Sequence, residues 1–230
     1  VSVPLGATYQ PISVLVNGLT GYSSKPFVVT FADGGIIDAC SFAAKADVTT
    51  GSEPYSIAIG DLDSDGKPDL AVANQISNTI SVFKNISILG SITAGSFAAK
   101  VDFITNSEPY YVGIHDLDGD GKPELIVSNN DSDNVSIYKN TTTTGVINVS
   151  SFAAKVDFAT EENPWNVAID DFDLDGKPDL AVVNDVSNSV SLLKNQTTPG
   201  SITTSSFAPA VNFATWAFPI GIDSKDLDGD

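Results

Sequence analysis

The chain has 230 residues, of which 42% are hydrophobic, and its 29 acidic and 11 basic residues give a formal net charge of −18. The apolar content is sufficient for a folded core, while the acidic surface argues strongly against nucleic acid as a partner, because phosphate binding requires basic residues. No apolar run approaches the ~18 residues of a membrane span, and the single cysteine, Cys40, excludes an internal disulfide framework. The partner that suits concentrated carboxylates is a cation.

Residues 1–33 lie outside the pattern that governs the rest of the chain. They contain two strand-like runs, "ISVLVN" and "FVVTF", on either side of a Gly/Ser/Lys turn. The runs resemble the closing strands of an IPT/TIG immunoglobulin-like domain, and a simple β-hairpin is the alternative. A linker follows, and residues 34–230 form the second predicted domain.

From Ser41 onward the sequence repeats with a period of 55 residues. The string "SFAAK" at Ser41 returns at Ser96 and Ser151, and it returns as "SFAPA" at Ser206. A proline, an aspartate and an asparagine, first met at Pro54, Asp61 and Asn85, keep the same step. A fixed period of this size indicates a tandem array of supersecondary units.

Each repeat predicts four short strands and no helix. In the first repeat they are "YSIAIGD", "DLAVAN", "TISVFKN" and "SFAAKVDF". The turn sequences "SDGKP" and "QISN" and a Gly/Ser/Thr-rich stretch separate them. Four-stranded units in tandem are typical of β-propeller blades, whereas the coils of a β-helix are shorter and a separate four-stranded sandwich cannot enclose a core.

The predicted fold is therefore an all-β propeller, preceded by an Ig-like strand pair. Its blades cover about residues 53–105, 108–160 and 163–215, and a fourth begins near residue 218. A leading strand near Phe42 is expected to complete the last blade and close the ring. About 3.5 blades form an open arc, so closure requires blades from downstream chain or a second copy.

The acidic string "DLDSDGKPDL" (residues 61–70) predicts a metal site between the first two strands of the repeat. Alternating aspartates converge if the chain curls, and Gly66 permits the sharp turn because it tolerates positive φ. Several carboxylates and one carbonyl suit Ca²⁺ better than Mg²⁺, and there is no Cys and His set for zinc. A solvated acidic turn is the alternative. The predicted ligands are the carboxylates of Asp61, Asp63, Asp65 and Asp69 and the carbonyl of Lys67.

The spacing resembles the first half of an EF-hand loop, but Val72 occupies the position of the closing glutamate and the flanks are strands. The strings "DLDSDGKPDL", "DLDGDGKPEL" and "DFDLDGKPDL" between strands instead resemble the FG-GAP (VCBS) repeat over about residues 41–230. This resemblance implies the calcium-binding propeller of integrin α-chains and bacterial surface proteins, which typically has seven blades.

The resemblance also implies ligands in the other copies, with about one structural Ca²⁺ for each complete motif. Glu124 departs from the usual aspartate, and the fourth copy is incomplete. In the second copy the implied ligands are Asp116, Asp118, Asp120, Lys122 (carbonyl) and Glu124. In the third they are Asp171, Asp173, Asp175, Lys177 (carbonyl) and Asp179. In the fourth they are Asp226, Asp228 and Asp230.

The function that the resemblance implies is non-enzymatic recognition or adhesion by a secreted or cell-surface protein, in a bacterial setting. A protein or glycan ligand would bind the face opposite the calcium loops, without nucleic acid and without membrane insertion. Aromatic side chains beside polar ones suit such a ligand, although packing between blades is the alternative for the aromatic rings. The candidate contacts are Tyr55, Tyr110, Trp165, Gln75, Asn130 and Asp185, with Trp216 and Phe218 nearby.

Two other functions stay open at this point. One is an architectural scaffold or spacer in a surface assembly, and the other is a non-catalytic part of a larger secreted enzyme. The sequence contains no GxSxG motif and no Cys–His pair, and its close carboxylate pairs are assigned to calcium. The single histidine, His115, is expected to be structural. We therefore expect the chain not to be an enzyme.

Overall fold

The computed structural model describes residues 44–225, and it describes the backbone of two strands nearer the N-terminus. The chain divides into two units, Val1–Lys45 and Ala46–Asp230. In the first unit β1 (Pro11–Val16) pairs antiparallel with β2 (Leu19–Pro26). The first predicted run is a strand, but β2 covers the stretch predicted as a turn, and "FVVTF" lies outside the described residues. The IPT/TIG assignment stays a prediction.

The described part of the second unit contains three antiparallel sheets, and each is formed by four consecutive strands. The first sheet comprises β3 (Pro54–Gly60), β4 (Asp69–Asn74), β5 (Thr79–Phe83) and β6 (Val101–Ile104). The second comprises β7 (Pro109–His115), β8 (Glu124–Asn129), β9 (Asn134–Tyr138) and β10 (Val156–Ala159). The third comprises β11 (Pro164–Asp170), β12 (Asp179–Asn184), β13 (Ser189–Leu193) and β14 (Val211–Ala214). The predicted all-β repeat of four strands is confirmed.

Helical structure in the described residues is limited to the short 3₁₀ turns Ala94–Ser96 and Asn130–Ser132. Within residues 44–225 and the two N-terminal strands, no helix has the length and apolar character needed to cross a membrane.

The hydrophobic core lies between neighbouring sheets. Val82 of the first sheet belongs to one buried cluster with Val112 and Leu125 of the second sheet. On the other side of the second sheet, Ile137 belongs to a cluster with Leu180 of the third. The second strands are buried on both faces, which explains why "DLAVAN" and its counterparts are continuous apolar runs instead of alternating ones.

The outermost strand of each sheet is shorter than the sequence predicts. The prediction started it at Ser96, whereas β6 begins at Val101 and Ser96 lies in a 3₁₀ turn. Phe97 forms only an isolated bridge with Asn85. An outer strand needs a neighbour to pair with, and β5 ends at Phe83, so the ladder is confined to the residues opposite it.

The sequence also predicts a leading strand near Phe42. That residue lies outside the described part of the chain. Residues 46–49 stand one repeat period before β6, and residues 44–50 form no strand.

The first and third sheets each expose an apolar surface that the middle sheet buries. Ile57 is 58% exposed, while its counterpart Val112 is 2% exposed. Phe213 at the other end is 53% exposed, while its counterpart in the middle sheet, Phe158, is 6% exposed. This pattern is expected of an open, propeller-like array, in which the apolar surface of a terminal sheet is not covered by a neighbouring sheet. The number of blades in the complete ring stays a prediction.

Candidate metal sites

An acidic loop connects the first and second strands of each sheet, and hydrogen bonds from its backbone to its aspartate side chains stabilise its conformation. In the first sheet the two carboxylate oxygens of Asp61 accept hydrogen bonds from the backbone N–H groups of Asp65 (3.2 Å) and Gly66 (2.9 Å). Gly66 has a φ of +84°, which only glycine adopts without strain. The loop therefore curls as the sequence predicts, and its side chains point inward.

Three acidic side chains converge in every loop. In each group one oxygen from each residue lies within 4.8 Å of the others. The second and fourth acids of the motif are buried in the first two sheets, whereas the second acid of the third sheet is exposed. The groups are Asp61, Asp63 and Asp69; Asp116, Asp118 and Glu124; and Asp171, Asp173 and Asp179.

The last acid of each group is anchored by the backbone. Asp69 accepts hydrogen bonds from the N–H groups of Leu62 (3.0 Å) and Asn85 (2.8 Å). Glu124, in the second sheet, accepts the equivalent pair from Leu117 (2.9 Å) and Asn140 (3.4 Å). Burial raises the pKa of Asp69, and it raises the pKa of Glu124 to about 7. Both shifts arise mainly because burial disfavours the charged form of the carboxyl group.

The third acid of each motif does not belong to these groups, and its role as a metal ligand stays a prediction. In the first sheet Asp65 instead binds the ammonium of Lys84 at 2.7 Å, and this bond lowers the pKa of Asp65. Lys84 also binds Asp63. The second and third sheets repeat the arrangement with Lys139 and Lys194.

These lysines were missed by the sequence reasoning, although a signal was present. Lys84, Lys139 and Lys194 follow one another at the repeat period, each immediately before the asparagine that served as a repeat marker. The "KN" pair was available as a pattern, but nothing local shows that its lysine reaches a loop 19 to 21 residues earlier.

The groups fit a hard divalent cation. All the possible metal-binding atoms in these groups are carboxylate oxygens, which Ca²⁺ prefers as ligands. In the first sheet Asp63 is fully buried, and its Oδ1 atom has no hydrogen-bond partner among the described residues. An unpaired buried carboxylate oxygen is costly, and a bound cation would satisfy it. The three groups can thus hold metal ions, one for each repeat.

Some predicted ligands are not members of the three acidic groups. The carbonyl role of Lys67, Lys122 and Lys177 stays a prediction. Their ammonium groups donate to the backbone carbonyls of Ser87, Thr142 and Thr197, at 3.1, 2.8 and 2.9 Å. Asp226, Asp228 and Asp230 lie outside the described residues.

The next sheet along the chain holds the acidic loop of the sheet before it. The Leu62 carbonyl accepts hydrogen bonds from Asn140 Nδ2 (2.9 Å) and Thr142 Oγ1 (3.0 Å), and Gly145 N donates to the Asp63 carbonyl (2.9 Å). Asn195 and Thr197 bind the Leu117 carbonyl in the same way. We call these Asn and Thr contacts the latch.

The predicted aromatic contacts meet at the opposite end of the first strands. The rings of Tyr55 and Tyr110 are 4.4 Å apart between centroids, and those of Tyr110 and Trp165 are 4.5 Å apart. These residues stand near the start of β3, β7 and β11, whereas the acidic loops follow the ends of these strands. The structure therefore brings the three rings into one cluster that spans three sheets.

The polar candidates near this cluster are partly engaged within the chain. Gln75 donates to the Tyr110 hydroxyl at 3.0 Å, and Asn130 donates to the Pro164 carbonyl at 3.3 Å. Asp185 has a buried Oδ1 without a hydrogen-bond partner in the described residues. Trp216 and Phe218 are exposed. The ligand-binding role of all these residues stays a prediction.

FG-GAP-like repeats match residues 61–127 and 116–182, which together cover more than half of the chain. The chain therefore belongs to the FG-GAP-like repeat family. Each matched segment starts at the first aspartate of an acidic loop and ends in the second strand of the next sheet. The comparison with curated proteins gave no match.

Proposed function

We propose that this protein is a calcium-binding recognition module that acts outside the cell and carries out no catalysis. The observation that carries the proposal is the recurrence of one oxygen cluster at the same place in three successive sheets. Membership of the FG-GAP-like family supports it, because such repeats are typical of extracellular, adhesion-type modules and are typically non-catalytic.

Calcium would have a structural role in this module. Asp61, Asp63 and Asp69 would hold the ion in the first sheet, and Asp65 and the Lys67 carbonyl are the further ligands that the motif offers. The ion would supply positive charge that offsets the repulsion among crowded carboxylates. Because these residues lie at the end of β3, in the loop and at the start of β4, the ion would stabilise that hairpin.

Recognition is assigned to the aromatic cluster at the other end of the sheets. Tyr55 is 48% exposed and lies against Tyr110, so part of the cluster is accessible. Rigid aromatic rings with polar tips give a large contact area at low entropic cost, which suits a protein surface or a sugar ring. A protein or a glycan is the class of ligand that we propose.

An architectural role is the second candidate, and the polar side chains near the cluster favour it. Gln75 and Asn130 already hold the next sheet through their hydrogen bonds. In a scaffold of this kind the aromatic rings would serve packing alone.

Thermal unfolding of the intact protein tests the calcium role. We expect the melting temperature to be clearly higher in millimolar Ca²⁺ than in chelator, because a ligand that binds only the folded state stabilises it by mass action. Magnesium at the same concentration serves as the control and should have a smaller effect, since it demands a tighter octahedral site. Equal melting temperatures with Ca²⁺ and with chelator would contradict the proposal.

Binding of the calcium-loaded protein to glycan arrays and immobilised matrix proteins separates recognition from scaffolding. Tyr55→Ala should abolish a specific signal, whereas Ile88→Ala, at an exposed apolar residue outside the aromatic cluster, should preserve it. No specific signal with either surface would favour the scaffold.

A further inference from the structure

We propose that Lys84, Lys139 and Lys194 are built-in counter-ions that compete with calcium for the acidic loops. Each lysine holds its loop together when the metal is absent and lowers the affinity of the loop for the metal. This inference rests on the calcium role proposed above and adds a residue that sets the strength of binding.

The contacts of the three lysines are the first support. Each ammonium binds the second and the third acid of its own loop. Lys139 lies 2.8 Å from Asp118 and 3.0 Å from Asp120. Lys84 makes the same two contacts in the first sheet, and Lys194 makes them in the third. Three independent repeats of one bridging geometry indicate a feature of the repeat instead of a chance surface pair.

The backbone fixes the position of each lysine. Lys84 follows β5 directly, and the N–H of the next residue, Asn85, donates to Asp69 in the same acidic loop. The equivalent bonds join Asn140 to Glu124 and Asn195 to Asp179. The hydrogen bond of the next residue to the loop therefore holds the lysine close to the loop carboxylates.

The charge balance of the first loop shows what the ammonium does without metal. Asp63 is fully buried, its Oδ2 binds Lys84, and its Oδ1 has no hydrogen-bond partner among the described residues. A buried carboxylate is tolerated only when a charge or hydrogen bonds compensate it. Lys84 compensates one oxygen of Asp63, and the other oxygen is left for a further cation to compensate.

Calcium and the ammonium would then act on the same carboxylate. An ion held by Asp61, Asp63 and Asp69 would share Asp63 with the Lys84 ammonium. Two positive charges bound to one buried carboxylate repel each other strongly. The lysine also holds Asp65, the next ligand that the motif offers. The affinity for calcium is therefore lower than that of the same loop without its lysine.

The second lysine of each loop provides a matched control. Lys67 lies in the first acidic loop itself, but its ammonium donates to the Ser87 carbonyl and makes no ion pair with the loop carboxylates among the described contacts. Lys67→Gln removes the same unit of charge from beside the same loop, and it leaves in place the backbone carbonyl of residue 67, which is the predicted ligand. Any effect that arises only from net charge should thus appear equally in Lys67→Gln and in Lys84→Gln.

Calorimetric titration with CaCl₂ and thermal unfolding in chelator test the proposal on the intact protein. For Lys84→Gln we expect calcium to bind about tenfold more tightly at one site, with a lower melting temperature in chelator. The two changes have opposite signs, which a purely structural ion pair would not produce. Lys67→Gln should change the affinity less than about threefold by comparison, because the half-buried Lys67 ammonium donates to the Ser87 carbonyl and to no loop carboxylate among the described contacts. Lys84→Arg, which keeps the charge, should restore the wild-type values.

Lys194→Gln keeps the test valid if Lys84→Gln does not fold, because Lys194 is the most exposed of the three lysines. Unchanged or weaker calcium binding in both glutamine variants, in a protein whose wild type binds calcium, would overturn the counter-ion role and leave the calcium role standing. Absence of binding in the wild type and in both variants would overturn both. Binding that appears only in the variants would support the counter-ion role and contradict the calcium role.

Discussion

The acidic loop that follows β3 and the loop that follows β11 have nearly the same sequence but different surroundings. The side chain of Asp63 is 0% exposed, whereas that of Asp173, its counterpart, is 38% exposed. Leu62 is 0% exposed, and its counterpart Phe172 is 41% exposed. The carboxylate oxygens nevertheless converge within the same 4.8 Å in both loops.

The difference comes from the next sheet. The Leu62 carbonyl is held by the latch from Asn140 and Thr142, while in the described residues no latch reaches the Phe172 carbonyl. Local sequence is thus sufficient to fold the loop and gather its ligands. The carboxylates are buried where a neighbouring sheet latches the loop, so we expect a complete metal site to form between two sheets.

The largest effect is expected when the latch is removed. Asn140→Ala breaks side-chain bonds to the carbonyls of Leu62 and Pro123 and to Thr142 N, and the first and last of these bonds are buried. Buried polar groups left unsatisfied cost about 1–3 kcal/mol each, so we expect a loss of about 4 kcal/mol of unfolding free energy. Urea unfolding in chelator measures it.

Asn85→Ala is the matched control for the latch. Asn85 makes the same bonds inside its own sheet, to Pro68 O and Ser87 N, but it holds no earlier loop among the described residues. Its loss should therefore be smaller by about 1–2 kcal/mol. Equal losses in the two variants would mean that the bond between the sheets contributes nothing.

A smaller effect should distinguish the second loop, which has a glutamate where the other two have aspartate. In the metal-free protein, burial raises the pKa of Glu124 from 4.5 to about 7. The folded state thus binds this proton more tightly than the unfolded state. The contribution is fully present below the unfolded pKa and is lost as the pH rises towards 7.

Unfolding in chelator between about pH 5 and about pH 8 measures this contribution. Glu124→Gln cannot titrate, so wild type should lose stability relative to the variant, on the order of 2 kcal/mol over the range. Other carboxylates titrate in both proteins and cancel in the difference. Parallel pH profiles for the two proteins would show that Glu124 does not titrate in this way.

The smallest effect concerns the backbone of the exposed third loop. Leu174 has a φ of +61°, and the second loop has Gly119 at the same position with a φ of +69°. A left-handed conformation costs a non-glycine residue roughly 1–2 kcal/mol, partly offset by the greater freedom of glycine when unfolded. Leu174→Gly should therefore stabilise the protein by less than about 1 kcal/mol, as measured by its melting temperature. Destabilisation would indicate that Leu174 makes contacts that outweigh the strain.

The repeat and its strands could be predicted because their signals are local. The alternation in "YSIAIGD" and the apolar run in "DLAVAN" each depend on the next few residues, and both form strands. The convergence of Asp61 and Asp63 was predictable for the same reason. Spacing alone defines that loop.

The rest depends on contacts that no local pattern encodes. Asn140 lies 78 residues from Leu62, and Lys84 lies 19 residues from Asp65. Asp65 has the same spacing as its neighbours, so its exclusion from the oxygen group could not be predicted without Lys84. The late start of β6 at Val101 reflects where β5 ends, which the side-chain pattern does not show.

Calorimetric titration of the metal-free protein with CaCl₂, in wild type and in two matched variants, tests the central claim most directly. In the 230-residue chain we expect Asp63→Asn to remove a tight site and Asp173→Asn to remove a weaker one, because the first loop is latched and buried, whereas no latch reaches the third loop among the described residues. Identical losses in the two variants, or no heat of binding in the wild type, would contradict the conclusion that a complete calcium site requires two sheets.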